Sequence, residues 1–288
     1  MTEARATRVL IAGCGDLGGR LGTTLARTGH RVWGLRRRVE NLPAELEPIA
    51  GDLSAPDSLP SLPEVDIVAY TAAADGFSDE AYRSAYVEGV RTLLTALKRP
   101  PERWLHVGST SVYTQSDGVE VDESSPTSPE QFAGLRLLEG ERLLFEAAEE
   151  RGFRAVVVRF AGIYGPGRTR LLDTIRQGQA TCFEPPVWTN RIHVEDCVGV
   201  LDHLGKLVTP EPIYLGVDSE PALDGEVKRW LARRLDLPDP PVGQPSERAR
   251  RLRSSKRCSN RLLLDSGYEF RYPDFRTGYG ALIEDLPA

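Results

Sequence analysis

A glycine-rich loop near the start of the chain carries the clearest chemical signal in the sequence. Gly13, Gly15 and Gly18 follow a short apolar run at 8–12 and precede a stretch at 17–28 that is compatible with a helix. Such a loop needs glycine for a tight turn, for close backbone approach to a pyrophosphate, and for packing of the helix on the strand. The helix N-terminus then offers N–H groups to the phosphates. This pattern predicts a dinucleotide site, with a merely tight strand-to-helix turn as the alternative. The predicted cofactor contacts are Gly13, Gly15, Asp16, Leu17 and Gly18.

Arginines at the end of the second predicted strand indicate which dinucleotide would bind. An NAD site usually has an acidic residue about 20 residues beyond the glycines, whereas this chain has Arg36, Arg37 and Arg38 there. Guanidinium groups bind a phosphate through paired hydrogen bonds, and a carboxylate would repel it. We therefore expect Arg36 and Arg37 to favour NADP over NAD, although NAD binding stays open, and the alternative is a solvated basic turn. Asp52 and Leu53 are further expected contacts, with Asp52 accepting from the adenine amino group or only capping a helix.

The elements that must position this loop are predicted by the alternation of apolar runs and amphipathic stretches. Strands separated by helical periodicity are typical of a parallel sheet covered on both faces. The sequence therefore predicts an α/β fold, a Rossmann doubly wound parallel sheet with a small C-terminal substrate lobe. Two long helices are expected, one with an apolar stripe from Tyr82 to Leu97 and one from after Pro129 to about Glu150. Strands are predicted at 8–12, 31–35, 67–70, 104–108 and 154–160.

Composition narrows the class of protein. The chain of 288 residues carries 36 Lys and Arg against 42 Asp and Glu, a formal net charge of −6. This balance argues against a chain-wide surface for nucleic acid or for an anionic membrane. The four cysteines form no CxxC pair, so neither a disulfide framework nor a metal site is predicted. No stretch approaches the roughly 18 apolar residues of a membrane span, and we expect a soluble, cytoplasmic protein.

Four further segments resemble the extended short-chain dehydrogenase/reductase family, in its NAD-dependent epimerase/dehydratase branch. With the glycine loop, the resemblance covers nearly the whole chain. The segments are 66–73 (DIVAYTAA), 106–113 (HVGSTSVY), 157–168 (VVRFAGIYGPGR) and 191–196 (RIHVED), and the ending at 260–273 (NRLLLDSGYEFRYP) is similar to that of an atypical bacterial subgroup. In the fourth segment we expect His193 to order the turn and Glu195 or Asp196 to cap the following helix. The resemblance implies cofactor contacts at Thr71, Ala72, Ala73, Ser109, Phe160, Ala161 and Gly162.

The chain departs from the family at the residues that transfer protons. The resemblance implies a Tyr and a Lys four residues apart on the helix after the Ser-bearing strand, but Phe132 and Arg136 stand at those places. Phenylalanine cannot transfer a proton, and arginine is effectively never a base. Tyr86 likewise replaces an Asn of the family's proton relay, and it could bring a phenol to the site from its helix. We therefore expect altered chemistry.

Ser109, Tyr113 and Tyr164 are the remaining candidates for catalytic groups. Ser109 matches the family's Ser/Thr and could hydrogen-bond a substrate hydroxyl or carbonyl, or it could only cap the end of its strand. Tyr113 and Tyr164 could each bring a phenol near the site from a loop. The alternative for each is packing, because aromatic side chains usually supply buried area.

A smaller C-terminal lobe is expected to close over the substrate. The predicted cofactor domain spans 1–165 with 190–218 returning to it, and the predicted lobe spans 166–189 and 219–288. The basic segment from Arg248 to Lys256 is interpreted as an anion clamp or as a solvated face. A nucleic-acid patch is the disfavoured third interpretation, since no aromatic residues are interleaved with the arginines.

Two functions follow from these observations. The first is an oxidoreductase or nucleotide-sugar epimerase/dehydratase-like enzyme that acts on a small hydroxyl or carbonyl substrate, including anionic or nucleotide-linked ones. It would use Ser109 and a proton donor outside the usual place. The second is a non-catalytic NADP(H)-binding sensor or regulatory protein. Monomer and homodimer both stay open, because the helices that family relatives use for dimers have fairly polar outer faces here.

Overall fold

The computed structural model describes residues 6–244 and 254–285. The strands are β1 (Arg8–Ala12), β2 (Arg31–Arg36), β3 (Glu47–Ala50), β4 (Ile67–Tyr70), β5 (Arg103–Ser109), β6 (Val119–Val121), β7 (Arg154–Phe160), β8 (Gly162–Tyr164), β9 (Cys182–Phe183), β10 (Trp188–Thr189), β11 (Arg191–His193), β12 (Ile213–Gly216), β13 (Ala222–Leu223), β14 (Val242–Gly243) and β15 (Lys256–Cys258). The helices are α1 (Asp16–Arg27), α2 (Asp79–Arg83), α3 (Gly89–Ala96), α4 (Phe132–Arg151), α5 (Arg170–Arg176), α6 (Val194–Lys206), α7 (Asp224–Arg234), α8 (Arg261–Asp265) and α9 (Phe275–Glu284).

A mostly parallel sheet of seven strands runs in the order β12-β7-β5-β4-β1-β2-β3. Both β2 and β4 pair with β1 in parallel, so the chain leaves β1 in one direction along the sheet and later returns to its other side. That reversal of strand order is the place where α/β sheets leave a crevice at the carboxyl ends of their strands. The predicted Rossmann α/β fold is confirmed, and the predicted strands agree with β1, β2, β4, β5 and β7 to within one residue at either end.

The predicted helix with the apolar stripe contains a wider turn. A π-helical turn at Ser84–Glu88 joins α2 to α3. The hydroxyl of Tyr70 donates to the carbonyl of Ala85 within this turn. Helix α4 packs closely against the same turn, since a Cβ on Gly140 would lie 2.0 Å from the carbonyl oxygen of Tyr86. A local π turn of this kind often marks a functional position, because it redirects side chains without ending the helix.

The chain divides into two compact units. Unit 1 runs up to Val112 and includes Glu130–Arg159 and Val198–Tyr214, and unit 2 comprises Tyr113–Pro129, Phe160–Cys197 and the chain from Leu215 onward. The core of unit 1 lies on the main sheet and contains Leu10, Leu35, Val68, Trp104 and Leu144. The core of unit 2 contains Tyr164, Leu172, Val227, Leu231 and Phe275. The limits of a cofactor domain and a substrate lobe within this chain stay a prediction.

The helix start after β11 is organised partly as expected. The Nδ1 atom of His193 accepts from the N–H of Glu195 at 3.3 Å, so this histidine orders the turn, as predicted. Of the two expected caps, Glu195 and Asp196, the carboxylate of Asp196 is engaged elsewhere, which corrects that half of the expectation, and capping by Glu195 stays a prediction. The Asp196 carboxylate accepts from the N–H groups of Arg271 and Tyr272 at 2.8 and 2.9 Å, and from the hydroxyl of Tyr268 at 2.9 Å. Asp196 therefore fixes the segment between α8 and α9.

The interpretation of the basic segment falls mainly on residues outside the described part of the chain, namely Arg248, Arg250, Arg251 and Arg253. The last residue of the segment, Lys256, and the next residue, Arg257, are described, and both form hydrogen bonds within unit 2. Lys256 is buried, and its Nζ atom donates to the carbonyl of Tyr113 at 2.9 Å. Arg257 donates to the carbonyl of Gly118 at 2.8 Å. Within 6–244 and 254–285, no helix has the length and apolar character needed to cross a membrane.

Candidate cofactor site

The glycine loop after β1 is held tightly on the side that faces the protein. Gly13 has a φ of +76°, and a Cβ there would lie 2.3 Å from the Cα of Ala72. A Cβ on Gly18 would lie 2.5 Å from Oγ1 of Thr71, so the third glycine lets α1 approach the sheet. The N–H of Gly13 donates to the carbonyl of Leu35 at 3.0 Å, which ties the loop to the end of β2. Larger side chains are excluded at both glycines by backbone conformation or contact.

The middle glycine faces open space. Gly15 is exposed, and the nearest atom to a Cβ built on it is the carbonyl oxygen of Gly13 at 3.9 Å. Helix α1 begins at the next residue, Asp16, whose carboxylate pairs with Arg20 at 2.8 Å, while Leu17 is buried. The space beside Gly15 at a helix N-terminus fits the close approach of a phosphate group to the backbone.

The segment after β4 braces this loop. The hydroxyl of Thr71 donates to the carbonyl of Gly13 at 3.1 Å, and its N–H donates to the carbonyl of Ala12 at 2.8 Å. Ala72 lies directly against Gly13, and Ala73 is exposed. Two of the three residues expected to contact a cofactor therefore support the glycine loop, and their contact with a ligand stays a prediction.

The arginines after β2 have different surroundings. Arg36 is half-buried at the end of the strand, and its carbonyl accepts from the N–H of Gly51 at 3.2 Å. Arg37 is exposed and forms a bidentate salt bridge with Asp75, with N–O distances of 2.7 and 2.6 Å. Sequence reasoning missed Asp75, although an acidic residue shortly after the Thr71–Ala73 segment was visible. Arg37 is thus already engaged by a carboxylate.

Asp52 and Leu53 lie after β3. The Oδ1 atom of Asp52 accepts from the N–H and the hydroxyl of Ser54 at 2.9 and 2.7 Å, so this carboxylate organises a local turn. Leu53 packs against the core of unit 1. A contact of either residue with an adenine ring stays a prediction.

Ser109 ends β5 and is half-buried. Its Oγ atom accepts from the N–H of Ser111 at 3.2 Å, which is the strand-end role foreseen as the alternative. A hydroxyl that accepts one hydrogen bond still carries a proton that it can donate to another oxygen. The structural role and a substrate contact are therefore compatible.

Phe132 and Arg136, which the resemblance puts at the places of an acid/base pair, have other partners in unit 1. The ring of Phe132 lies 4.9 Å from that of Phe77 and 5.5 Å from that of Tyr82. Arg136 pairs with Asp79 at 2.7 Å and with Glu139 at 2.6 Å, and these hydrogen bonds raise its pKa. This pair cannot move a proton, because one member has none to give and the other holds its proton more firmly than usual.

Tyr86 is a phenol of unit 1 that contacts the segment after β4 at the backbone of Ala74. Burial raises its pKa, and the nearby Tyr82 acts in the same direction, while a hydrogen bond with the backbone of Ala74 opposes both. Its ring centre lies 5.3 Å from that of Tyr82. A phenol with these surroundings is neutral at pH 7 and can donate a hydrogen bond.

The other two phenols lie in unit 2 and are buried. Tyr113 is 1% exposed, and Tyr164 is 4% exposed with its ring stacked 4.2 Å from that of Tyr279. The Tyr164 hydroxyl has no hydrogen-bond partner among the described residues, and burial raises its pKa. Both positions favour the packing alternative, and a catalytic role for either stays a prediction.

The predicted contacts after β7 serve the backbone of unit 2. The N–H of Ala161 donates to the carbonyl of Gly216 at 3.1 Å. Phe160 is buried against Gly216, where a Cβ would lie 2.1 Å from the Phe160 ring. Gly162 begins β8, which pairs in parallel with β11. Their contact with a cofactor also stays a prediction.

Comparison with known proteins gives the chain relatives over almost its full length. The family model described as the NAD dependent epimerase/dehydratase family matches residues 9–208. A protein from Methylobacillus flagellatus, described as a candidate NAD-dependent epimerase/dehydratase, is 35% identical, with 96% of this chain and 98% of that chain covered and a TM-score of 0.80. No protein of curated function matches the chain by sequence.

Two more distant structures share the fold. A human epimerase family protein in complex with NADPH is 22% identical, with 97% of this chain and 100% of that chain covered and a TM-score of 0.79. The protein MoeE5 in complex with UDP-glucose and NAD is 24% identical, with 97% and 98% covered and a TM-score of 0.80.

Proposed function

Because this chain belongs to the NAD dependent epimerase/dehydratase family, we propose that it binds a nicotinamide dinucleotide at the Gly13–Gly18 loop. The proposed reaction is hydride exchange with a small hydroxyl or carbonyl substrate. The observation that carries the proposal is the open space at Gly15, between a tightly held Gly13 and the first turn of α1. The bound nicotinamide would supply the hydride acceptor or donor. The human relative with NADPH and MoeE5 with NAD support a cofactor of this class.

NADP is the proposed preferred form. Arg36 and Arg37 stand where an NAD site would usually have an acidic residue. Their guanidinium groups suit a 2′-phosphate, since a planar fork donates two parallel hydrogen bonds. For the substrate, UDP-glucose in MoeE5 supports a nucleotide-linked compound.

Within this proposal, the chain's own residues orient the substrate and handle its proton. Ser109 donates its hydroxyl proton to a substrate oxygen while it accepts from the N–H of Ser111. A protein group other than Phe132 and Arg136 accepts the proton when the hydroxyl is oxidised and donates a proton when the carbonyl is reduced. Tyr86 is one candidate, because its phenol lies beside the backbone of Ala74. A catalytic role for Tyr113 or Tyr164 stays a prediction from the sequence.

A second candidate function is a non-catalytic NADP(H)-binding sensor. The surroundings of Phe132 and Arg136 favour it. Phe132 packs in an aromatic cluster and Arg136 is paired with two carboxylates, so neither side chain can transfer a proton. A screen of carbonyl and nucleotide-sugar compounds for absorbance change at the nicotinamide band separates the two functions. Turnover with any compound supports the enzyme, and tight NADP(H) binding without turnover supports the sensor.

Isothermal titration calorimetry tests the cofactor site directly. We expect the wild-type protein to bind NADP more tightly than NAD, and Gly15→Ala to lose most of the affinity for both. The added methyl would fill the space left for a pyrophosphate, whereas the negative φ of −87° and the 3.9 Å clearance leave the fold intact. Circular dichroism checks that the variant is folded. A Gly15→Ala protein that binds both cofactors normally would exclude the loop as the phosphate site.

The arginines are tested in the same way. Replacing both Arg36 and Arg37 with Ala should remove most of the preference for NADP. Of the three arginines at the end of β2, only Arg38 would then remain. NAD affinity should change much less. Equal wild-type affinity for the two cofactors would contradict the proposed preference.

A further inference from the structure

Arg37 and Asp75 form an ion pair between the segments that follow β2 and β4. Arg37 directly follows β2, and Asp75 follows β4 and the Thr71–Ala73 segment. Both guanidinium NH2 groups of Arg37 take part, one to each carboxylate oxygen, at 2.7 and 2.6 Å. The fork of Arg37 is thus satisfied by a carboxylate in the same paired geometry that a phosphate would use.

The strand order places this bridge beside the glycine loop. β1 lies between β2 and β4, and it pairs in parallel with both. The carboxyl ends of the three strands therefore lie at one edge of the sheet, and the loop that begins at Gly13 leaves from the middle strand. An ion pair between the segment after β2 and the segment after β4 therefore links the two sides of the glycine loop. The bridge consequently spans the region in which the adenosine end of a dinucleotide is bound in this class of sheet.

Exposure and charge leave the bridge open to competition. The side chains of Arg37 and Asp75 are 56% and 68% exposed, so a ligand can reach both. The hydrogen bonds from Arg37 lower the pKa of Asp75, which keeps its carboxylate charged at neutral pH. Asp52 adds a weaker attraction for Arg37. Exposed ion pairs have little net stability, so a dianionic phosphate can displace the carboxylate, but it must break the pair to do so.

We propose that Asp75 is a positioning residue that sets the cofactor preference of this chain by holding Arg37 away from a 2′-phosphate. The inference rests on the proposed dinucleotide site and adds a residue that opposes its arginines. With Asp75 present, part of the affinity that Arg37 offers to NADP is spent on breaking the bridge, whereas NAD makes no such demand. The preference for NADP is therefore weaker than the run of arginines alone would give.

Substitution of Asp75 tests this inference through binding alone. We expect Asp75→Asn to increase the ratio of NADP to NAD affinity by up to about fivefold, the size of one exposed ion pair. The same change should appear with 2′,5′-ADP against 5′-AMP, because these fragments differ only in the 2′-phosphate. Calorimetry on the wild-type and variant proteins measures both ratios. An unchanged or lowered ratio overturns the inference.

A double-mutant cycle shows whether Asp75 acts through Arg37. In an Arg37→Ala background, Asp75→Asn should leave the ratio unchanged, since there is no guanidinium to release. An equal effect in both backgrounds would overturn the proposed route. The matched control is Glu47→Gln, which breaks a similar exposed bridge to Arg31 at 2.6 Å near the opposite ends of β2 and β3. It should alter neither ratio.

The design also separates this inference from the proposed function. If the wild-type protein binds none of the four nucleotides, the proposed function fails and the inference fails with it. If the wild-type protein binds them and only the Asp75→Asn ratio is unchanged, the dinucleotide site stands and the role of Asp75 is excluded.

Discussion

Gly13 and Gly15 are two residues apart, but they are required for different reasons. Gly13 combines a positive φ of +76° with a Cβ position 2.3 Å from the backbone of Ala72. Gly15 has a negative φ and open space around it. The first glycine is therefore a condition of the fold, and the second is a condition of the proposed ligand contact.

This difference predicts that the same substitution lowers stability much more at Gly13 than at Gly15. Gly13→Ala should lower the free energy of unfolding by about 1–3 kcal/mol, because the strained φ and the contact with Ala72 cannot both be relieved. Gly15→Ala should cost less, about 0.5–1 kcal/mol, because Gly15 is the N-cap residue of α1, where Ala is less favourable than Gly. Urea denaturation followed by circular dichroism measures both. Similar losses in the two variants would refute the assignment.

Asp218 is a buried carboxyl group in unit 2 that sequence reasoning did not single out. It is 1% exposed, and its Oδ2 atom has no partner among the described residues. Burial raises its pKa to about 8, against the opposing charge of Arg191. The folded state therefore retains a proton that the unfolded state releases at a much lower pH.

The pH dependence of stability follows from this shift. Between about pH 4 and about pH 8 the folded protein binds more protons at Asp218 than the unfolded chain does. The contribution of Asp218 to stability is thus greatest at low pH and falls by up to about 1.4 kcal/mol per pH unit as the pH rises. Asp218→Asn should remove this slope, and Asp265→Asn on the surface of α8 should not. Parallel curves for wild type and Asp218→Asn in urea unfolding from pH 5 to 8 would contradict the prediction.

The end of α6 is held by the start of β5. The guanidinium of Arg103 is largely buried and donates to the carbonyls of Leu204, Gly205 and Leu207 at 2.5 to 2.8 Å. The first two carbonyls belong to the last turn of α6 and the third to the residue after it, where the helix dipole favours a positive charge. One side chain thus joins a crossover helix to the middle of the sheet in unit 1.

Removing that charge tests its contribution. Arg103→Met keeps much of the apolar stem but leaves three carbonyls without their donor, and we expect a loss of about 2–3 kcal/mol in the free energy of unfolding. Arg99→Met is the control, because Arg99 forms only an exposed pair with Glu64 at 3.3 Å and should cost less than about 1 kcal/mol. Chemical denaturation monitored by tryptophan fluorescence measures the free energy of unfolding of both variants. Equal losses would show that the contacts of Arg103 with these carbonyls add no stability beyond that of an exposed ion pair.

For the molecule as a whole, cofactor binding and stability are linked. A ligand that binds only the folded state adds about 2.7 kcal/mol at a concentration of about 100 times its Kd. We therefore expect NADPH to raise the Tm of the wild-type protein in a concentration-dependent manner. Gly15→Ala should show a Tm close to that of the wild type without ligand and a much smaller rise at the same NADPH concentration. A thermal shift assay measures both, and an equal rise in the two proteins would place the ligand elsewhere.

Local sequence was sufficient for β1, β2, β4, β5 and β7 of the main sheet and for the position of the glycine loop, but not for β3 and β12. Apolar runs of strand length, helical periodicity and glycines at a fixed spacing are short-range signals, and β1 and α4 lie where those signals indicate. The π turn at Ser84–Glu88 was not predicted, because it depends on contacts with Tyr70 and Gly140, which are distant in sequence.

The side-chain partners were decided only by the tertiary structure. From the sequence, Glu195 or Asp196 was expected to cap the helix after β11, and Arg37 was expected to be available for a phosphate. The folded chain brings Asp196 to Arg271 and Tyr272, and it brings Arg37 to Asp75. Composition and spacing determine which residues can form strands, helices and a phosphate loop, because those depend on neighbours along the chain. Which charges meet depends on the order of the strands, since that order sets which loops lie side by side.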